Sequence, residues 1–196
     1  MRILFAASDR DLLSGYKSLL EAKGHEIDAA FDGVQAVTRI SEGYDAAVID
    51  QSLSRLSSAS VLKKLCDGGV PTVMLLFSRI TGELYLSPVL PDTFLCYPFS
   101  PDELDAALTA ATGLRDMPDF DLFGTAVSPS KRTFAGNVRI TSEEALLLKR
   151  LSDGAVRDSD CDILIRAVCE KMRIAGTGIT VKYITNEGYK VVKTVE

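Results

Sequence analysis

The sequence predicts an α/β chain in two parts: a doubly wound, parallel five-stranded sheet, then a smaller domain of different build. Three observations carry this. Short apolar runs alternate five times with segments of helical periodicity over residues 1–112. Those runs are apolar at nearly every position, as in strands covered by helices on both faces. After a linker, Gly113-Leu114-Arg115-Asp116-Met117-Pro118, the pattern changes to short strands, helices and a hairpin over residues 119–196. A length of 196 residues fits two small domains.

The elements follow in order. Residues 2–7 form the first strand, and Ser8-Asp9-Arg10-Asp11 offers capping side chains to a helix with Leu12, Leu13, Tyr16, Leu19 and Leu20 at helical spacing. Gly24 ends it, and the single histidine, His25, stands in an exposed turn. Glu26 to Phe31 reads as the second strand, Asp32-Gly33 as a turn, and Val34, Ala36, Val37 and Ile40 as a short helix. Ala46 to Asp50 is a buried strand ending in a carboxylate. Ser58 to Cys66 is helical, and Pro71 to Phe77 is an apolar strand. Gly82, Pro88 and Pro91 argue against one regular helix over Leu84 to Leu90, because an internal proline costs about 3 kcal/mol. Phe94 to Phe99 is the fifth strand. Pro101-Asp102-Glu103-Leu104 opens a last helix to Thr112, with proline and acids in its first turn.

In the second part, Phe120 to Val127 and Arg132 to Ile140 read as short strands. Thr141-Ser142-Glu143-Glu144 opens a helix through Leu151, and Ser152 to Asp160 is polar. Cys161 to Ile174 is helical, Gly176 and Gly178 break it, and Ile179 to Val192 is a hairpin turning at Asn186-Glu187-Gly188.

Composition excludes several functions. Lysine plus arginine number 22 and aspartate plus glutamate 27, a net charge of −5, so bulk positive charge does not hold this chain on nucleic acid. The longest apolar run, Val73 to Phe77, is far short of a membrane span, and the apolar N-terminus is too short for a signal peptide. Cys66, Cys96, Cys161 and Cys169 form no C-x-x-C pair. They read as free thiols of a reducing cytoplasm. One histidine builds no common metal site and no Ser-His-Asp set. No enzyme, cofactor or small-molecule substrate is expected.

The first part resembles the receiver domain of bacterial response regulators, a flavodoxin-like fold. The matches are Met1-Arg2-Ile3-Leu4, Gly24-His25-Glu26, Asp32-Gly33, Tyr44 to Asp50, and Pro98-Phe99-Ser100-Pro101-Asp102-Glu103-Leu104. The resemblance implies that Asp50 stands at the phosphoryl-accepting position. There the chemistry also needs an acidic pair to hold magnesium, a hydroxyl and a lysine. The acidic pair falls on Ala7 and Ser8, with Asp9 one position late. The hydroxyl falls on Leu76 and the lysine on Tyr97. Only Asp50 survives, so it is expected to take no phosphoryl group.

Residues 119–196 resemble a reduced winged-helix effector of the OmpR/PhoB type. Asn137 to Leu148 match its small strand and first helix. Ile165, Val168, Lys171 and Met172 match its recognition helix, and Ile179 to Ile184 with Gly188-Tyr189-Lys190-Val191 match its wing. Ser152 to Asp160 is too short and polar to supply the second helix. A competing alignment makes Ile163 to Val168 that second helix and drops the recognition helix.

At 100° per residue, Cys161, Ile165, Val168 and Met172 form a core stripe, and Ile163, Ala167, Glu170 and Ile174 face the other way. Residues 119–196 hold 12 basic and 11 acidic side chains, against 10 and 16 in residues 1–118, so the charge permits DNA contact without demanding it. The resemblance implies an atypical, phosphorylation-independent regulator of transcription. Arg166, Lys171, Arg173, Lys182 and Lys190 are its candidate DNA contacts, and a homodimer is expected through exposed apolar surface. The alternative is a protein-interaction module without DNA binding.

Overall fold

A computed structural model describes residues 1–77, 89–156 and 162–194. They divide into two compact units, residues 1–77 with 91–113, and residues 89–90 with 114–156 and 162–194.

The first unit holds strands β1 (Arg2–Ala6), β2 (Glu26–Ala30), β3 (Ala46–Asp50), β4 (Thr72–Leu76) and β5 (Thr93–Cys96). All pair in parallel, in the order β2-β1-β3-β4-β5. Helices α1 (Arg10–Ala22), α2 (Gly33–Arg39), α3 (Ser58–Asp67) and α4 (Pro101–Gly113) connect and follow them. β3 and β4 are buried at every position, as expected for the apolar runs Ala46 to Ile49 and Val73 to Leu76, and the burial extends to Asp50 and Thr72 at their ends. Ile3, Phe5, Leu13, Leu20, Val48, Leu75, Leu104 and Leu108 belong to one core.

Each helix begins where a polar side chain can satisfy its free N–H groups. The Asp9 carboxylate accepts from Asp11 and Leu12, Asp32 from Gln35, and Ser57 from Ser60. Gly33 is required by packing: a Cβ there meets the Leu56 carbonyl oxygen at 2.2 Å. The turn at His25 is exposed as expected at Lys23, Gly24 and Glu26, whereas His25 itself is half-buried. His25 Nε2 lies 3.0 Å from Asp105 on α4, and Lys23 bridges Asp102 and Asp105 at 2.6 and 3.2 Å.

The second unit starts with an antiparallel sheet, β6 (Phe120–Leu122), β7 (Thr125–Ser128), β8 (Thr133–Phe134) and β9 (Val138–Arg139). Each of the two expected strands is thus a hairpin. Phe123-Gly124 and Ala135-Gly136 reverse the chain, with φ of 54° and 90°, and 51° and 84°. Helix α5 (Ser142–Asp153), helix α6 (Asp162–Ile174) and the hairpin β10 (Ile179–Ile184) with β11 (Gly188–Lys193) follow. Leu122, Phe134, Leu148, Ile165, Val168, Met172, Val181 and Val191 share its core.

Residues 113–118 comprise the last residue of α4, a 3-10 turn Leu114–Asp116, and Met117-Pro118. Leu114 is buried in the second core. The expectations over Leu84 to Pro88, and for Arg157 to Cys161, lie outside the described residues. Among the described residues no helix is long and apolar enough to cross a membrane.

Candidate functional site

Two regions bear on function, one in each unit. In the first, β3 delivers Asp50 to the carboxyl end of the sheet, where open α/β sheets place their ligands. Asp50 is 1% exposed. Its Oδ1 accepts from the Ser52 N–H at 2.7 Å and the Ser52 hydroxyl at 2.6 Å. Its Oδ2 accepts from the Tyr97 hydroxyl at 3.2 Å. Burial, and then the Asp50 charge, push the Tyr97 phenol far above its ordinary range.

The other positions around Asp50 bring no oxygen ligands from their side chains or turn them elsewhere. Ala7 and Leu76 are buried apolar groups. Ser8 exchanges hydrogen bonds with Ser54, at 3.1 Å between hydroxyls and 2.9 Å from the Ser54 N–H. Asp9 turns its Oδ1 to the N-terminus of α1, accepting from Asp11 and Leu12. No group of three or more His, Cys, Asp and Glu side chains able to hold a metal ion occurs among the described residues. Sequence reasoning named neither Ser52, which a carboxylate two residues earlier signals as a local turn partner, nor Ser54.

In the second unit, α6 and the hairpin carry the expected basic residues. Arg166 is exposed on α6. Arg173 is exposed too, but its guanidinium forks onto the Glu170 carboxylate at 2.8 and 2.5 Å. Lys182 and Lys190 sit directly opposite each other in the β10–β11 register. Lys190 pairs with Glu187, while Lys182 points to solvent. Both glutamates lie three residues from their cation, a spacing legible in the sequence.

Lys171 must be corrected. It is 4% exposed, and its ammonium lies 2.6 Å from Glu144, which is fully buried on α5. Lys171 therefore faces the core and contacts no DNA. Glu144 also closes a capping box with Thr141, its Oε2 accepting the Thr141 N–H at 2.7 Å. Burial pushes Glu144 up and Lys171 down, and their mutual attraction opposes both shifts. The Thr141-x-x-Glu144 box was visible in the sequence, but not the lysine it would meet.

Ala167 is a second correction: it is 2% exposed, whereas Ile163 and Ile174 are 45% and 59% exposed. The start of α6 is tied to the hairpin. The Tyr189 hydroxyl donates to Asp162 at 2.6 Å, and Val156 bridges Tyr189 through two backbone hydrogen bonds.

No family model matches the sequence. Over 116 residues the chain is 29% identical to the transcriptional regulatory protein DltR of Streptococcus agalactiae, a match covering 57% of this chain and 52% of DltR. Here the chain spans about half the length of the relative. Over 165 residues it is 29% identical to the response regulator protein PmrA of Pseudomonas aeruginosa, covering 79% of this chain and 75% of PmrA. Among solved structures, the receiver domain of the Francisella response regulator 1452 matches 57% of this chain and 96% of its own. Its TM-score is 0.53 at 28% identity. A structure of a RitR mutant covers 98% of this chain and 99% of its own with a TM-score of 0.70, at 17% identity, a likeness of fold.

The homologues are thus response regulators of the OmpR/PhoB type. The first unit has the receiver-like flavodoxin fold, and a small region with antiparallel sheets follows it.

Proposed function

We propose that this chain is an atypical response regulator that acts in transcription by binding DNA, without phosphoryl transfer at Asp50 and without a catalytic step of its own. The supporting observation is the state of Asp50. Magnesium demands near-octahedral oxygen coordination and is held through carboxylates and water. Here one carboxylate stands with both oxygens engaged by Ser52 and Tyr97, beside Ala7 and Leu76. Incubation with acetyl phosphate and magnesium, followed by intact mass, tests this half. No phosphoryl adduct is expected, and a substantial adduct lost in Asp50→Ala refutes it.

For DNA, the reading assigns phosphate contacts to Arg166, Arg173, Lys182 and Lys190. Arg166 and Arg173 are seven residues apart on α6, a rise of about 10 Å, suited to phosphates along one groove. Lys182 and Lys190 sit directly opposite each other in the hairpin register, so one polyanion can reach both. Binding is then weak in sequence specificity, because phosphate contacts position and do not read bases.

A mobility shift with the protein's own promoter region, repeated across salt, tests it. Arg166→Ala with Lys182→Ala should weaken binding to all sequences alike and flatten the salt slope by about two units per bound protomer. Unchanged binding by that double variant assigns the DNA contact to other residues, and a wild-type chain that shifts no DNA at any salt supports the second reading, an interaction module. The exposed Ile163 and Ile174 favour that reading. In either case the proposal includes a cytoplasmic protein that dimerises without a phosphodonor. A clean monomer in sedimentation at micromolar concentration counts against the dimer.

A further inference from the structure

We propose that Tyr97 is the built-in partner of Asp50, and that its hydroxyl on Asp50 and its ring in an aromatic stack hold the rim of the sheet in a single arrangement. The inference rests on the reading of Asp50 as a carboxylate that takes no phosphoryl group.

The rings form an unbroken series. Phe77, just past β4, stacks on Tyr97 with centroids 4.5 Å apart and planes 14° apart. Tyr97 meets Phe99 at 4.7 Å, and Phe99 meets Tyr16 of α1 at 4.8 Å. The Tyr16 hydroxyl donates to the Phe99 carbonyl oxygen at 2.7 Å, and its ring reaches Phe5 of β1 at 6.4 Å. The ends of β1, β4 and β5 and the first turns of α1 are thereby linked through side chains.

Tyr97 is the one member of this series whose polar tip touches Asp50. Its backbone is fixed as well, by its N–H on the Leu76 carbonyl oxygen at 2.8 Å. Side chains move between staggered wells about 120° apart, not by small drifts. A change of Tyr97 rotamer therefore breaks the stack on Phe77, the contact with Phe99 and the bond to Asp50 together. The state of the carboxylate and the state of the rim become one variable, and the packing favours one value of it. Asp50 is the group to which this anchor is tied: Ser52 holds its other oxygen from within the same turn, and no ion pair reaches it among the described residues.

The test uses the full chain and Tyr97→Phe, which retains every ring contact and removes the hydroxyl alone. The reporter is the Ser52 amide, whose N–H is bound to Asp50. Its hydrogen exchange should accelerate about tenfold, the loss of one hydrogen bond to a charged group. A second readout separates an anchored phenol from a merely packed ring. The alkaline absorbance titration of Tyr97, taken as wild type minus Tyr97→Phe, should lie well above that of an exposed tyrosine. It should move down in Asp50→Asn, which keeps an acceptor oxygen but not the charge. If Tyr97→Phe does not fold, the titration is read as wild type minus Asp50→Asn, in which one high-titrating tyrosine should move down. Unchanged Ser52 exchange, or a Tyr97 that titrates with exposed tyrosines, overturns the anchor and leaves the reading of Asp50 intact. A phosphoryl adduct on wild-type Asp50 overturns both.

Discussion

Replacing Lys171 by methionine is the sharpest test of how the second unit is built. The ammonium of Lys171 and the carboxylate of Glu144 are 2.6 Å apart, with side chains 5% and 0% exposed. Methionine has the length of the lysine stem and removes only the charge. Glu144 is then a buried carboxylate with the Thr141 N–H as its remaining partner on Oε2. Breaking a buried pair by removing one partner costs about 3–5 kcal/mol, because the other charge is left uncompensated. That is about two to four powers of ten in the opening equilibrium.

Native-state hydrogen exchange at the α5 amides of Leu147 and Leu148 reads that equilibrium directly. Adding Glu144→Gln should recover most of the loss, since glutamine at this position still closes the capping box and carries no charge. The pH dependence has a definite sign. Burial already holds Glu144 above its ordinary range, and loss of the lysine raises it further. A carboxyl whose folded pKa is raised stabilises the fold at low pH, and that contribution is lost as pH rises through the folded value. The defect of Lys171→Met should therefore shrink as pH falls from 7 towards the free carboxyl range, about 4.3. Exchange within about 1 kcal/mol of wild type, or a double variant no better than the single, refutes this account of the pair.

Three further predictions follow from local geometry. Gly33→Ala places a Cβ 2.2 Å from the Leu56 carbonyl oxygen, and backbone must move. The first unit should lose about 1–3 kcal/mol, and a thermal midpoint equal to wild type contradicts this. Asp105 is held below the ordinary carboxylate range by its bond to His25 and then by Lys23, so its contribution is present above about pH 3.9 and lost as pH falls through its folded value. Asp105→Asn should flatten the acid limb of unfolding, and superimposable acid limbs would show the clasp to be inert. Lys182→Thr removes one of two facing cations, and because Lys190 is already paired with Glu187 it should stabilise the hairpin only by the lower end of about 0.2–1 kcal/mol at low salt. The same change should make the DNA salt slope shallower by about 0.9, so hairpin stability unmoved by the substitution would discount the repulsion.

The parallel sheet was legible because its signal is one-dimensional. An apolar run such as Ala46 to Ile49 or Val73 to Leu76 is buried whatever lies beside it. The caps at Asp9 and Thr141 were legible for the same reason, since each acts within four residues of itself, while Asp32, read as a turn, also caps a helix. What escaped the sequence depends on a partner distant in the chain. Lys171 and Arg166 are both basic residues of one helix, and only Glu144, 27 positions earlier, decides that the first points inward. Ala167 looked outward on an ideal wheel, but alanine is small enough to be covered by its neighbours. The hairpins at Phe123-Gly124 and Ala135-Gly136 escaped because a residue other than glycine takes the first positive φ. Around Asp50, the losses at Ala7, Leu76 and Tyr97 were legible by position. That Tyr97 would close on the carboxylate was not.

The two units share a relation that bears on how such a protein is regulated. Asp50 and Lys171, the charged groups that the resemblance marks for phosphate chemistry and DNA contact, are each satisfied from within their own unit, by Ser52 with Tyr97 and by Glu144. On the proposed reading, a carboxylate so held takes no phosphoryl signal, and DNA occupancy would follow protein concentration by mass action. The salt slope tests what is left for DNA. Each neutralised phosphate contributes about 0.9 to it. Arg173 and Lys190 are already neutralised by Glu170 and Glu187, so contacts from them exchange one ion pair for another and release less counterion. Arg166 and Lys182 have no carboxylate within ion-pair distance among the described residues. One protomer should thus show a slope near about −1.8, and a dimer on DNA about −3.6. A slope of about −3.6 that falls to nearly zero in Arg166→Ala with Lys182→Ala supports two protomers bound through these cations. A slope that the double variant leaves unchanged assigns the charge contact elsewhere.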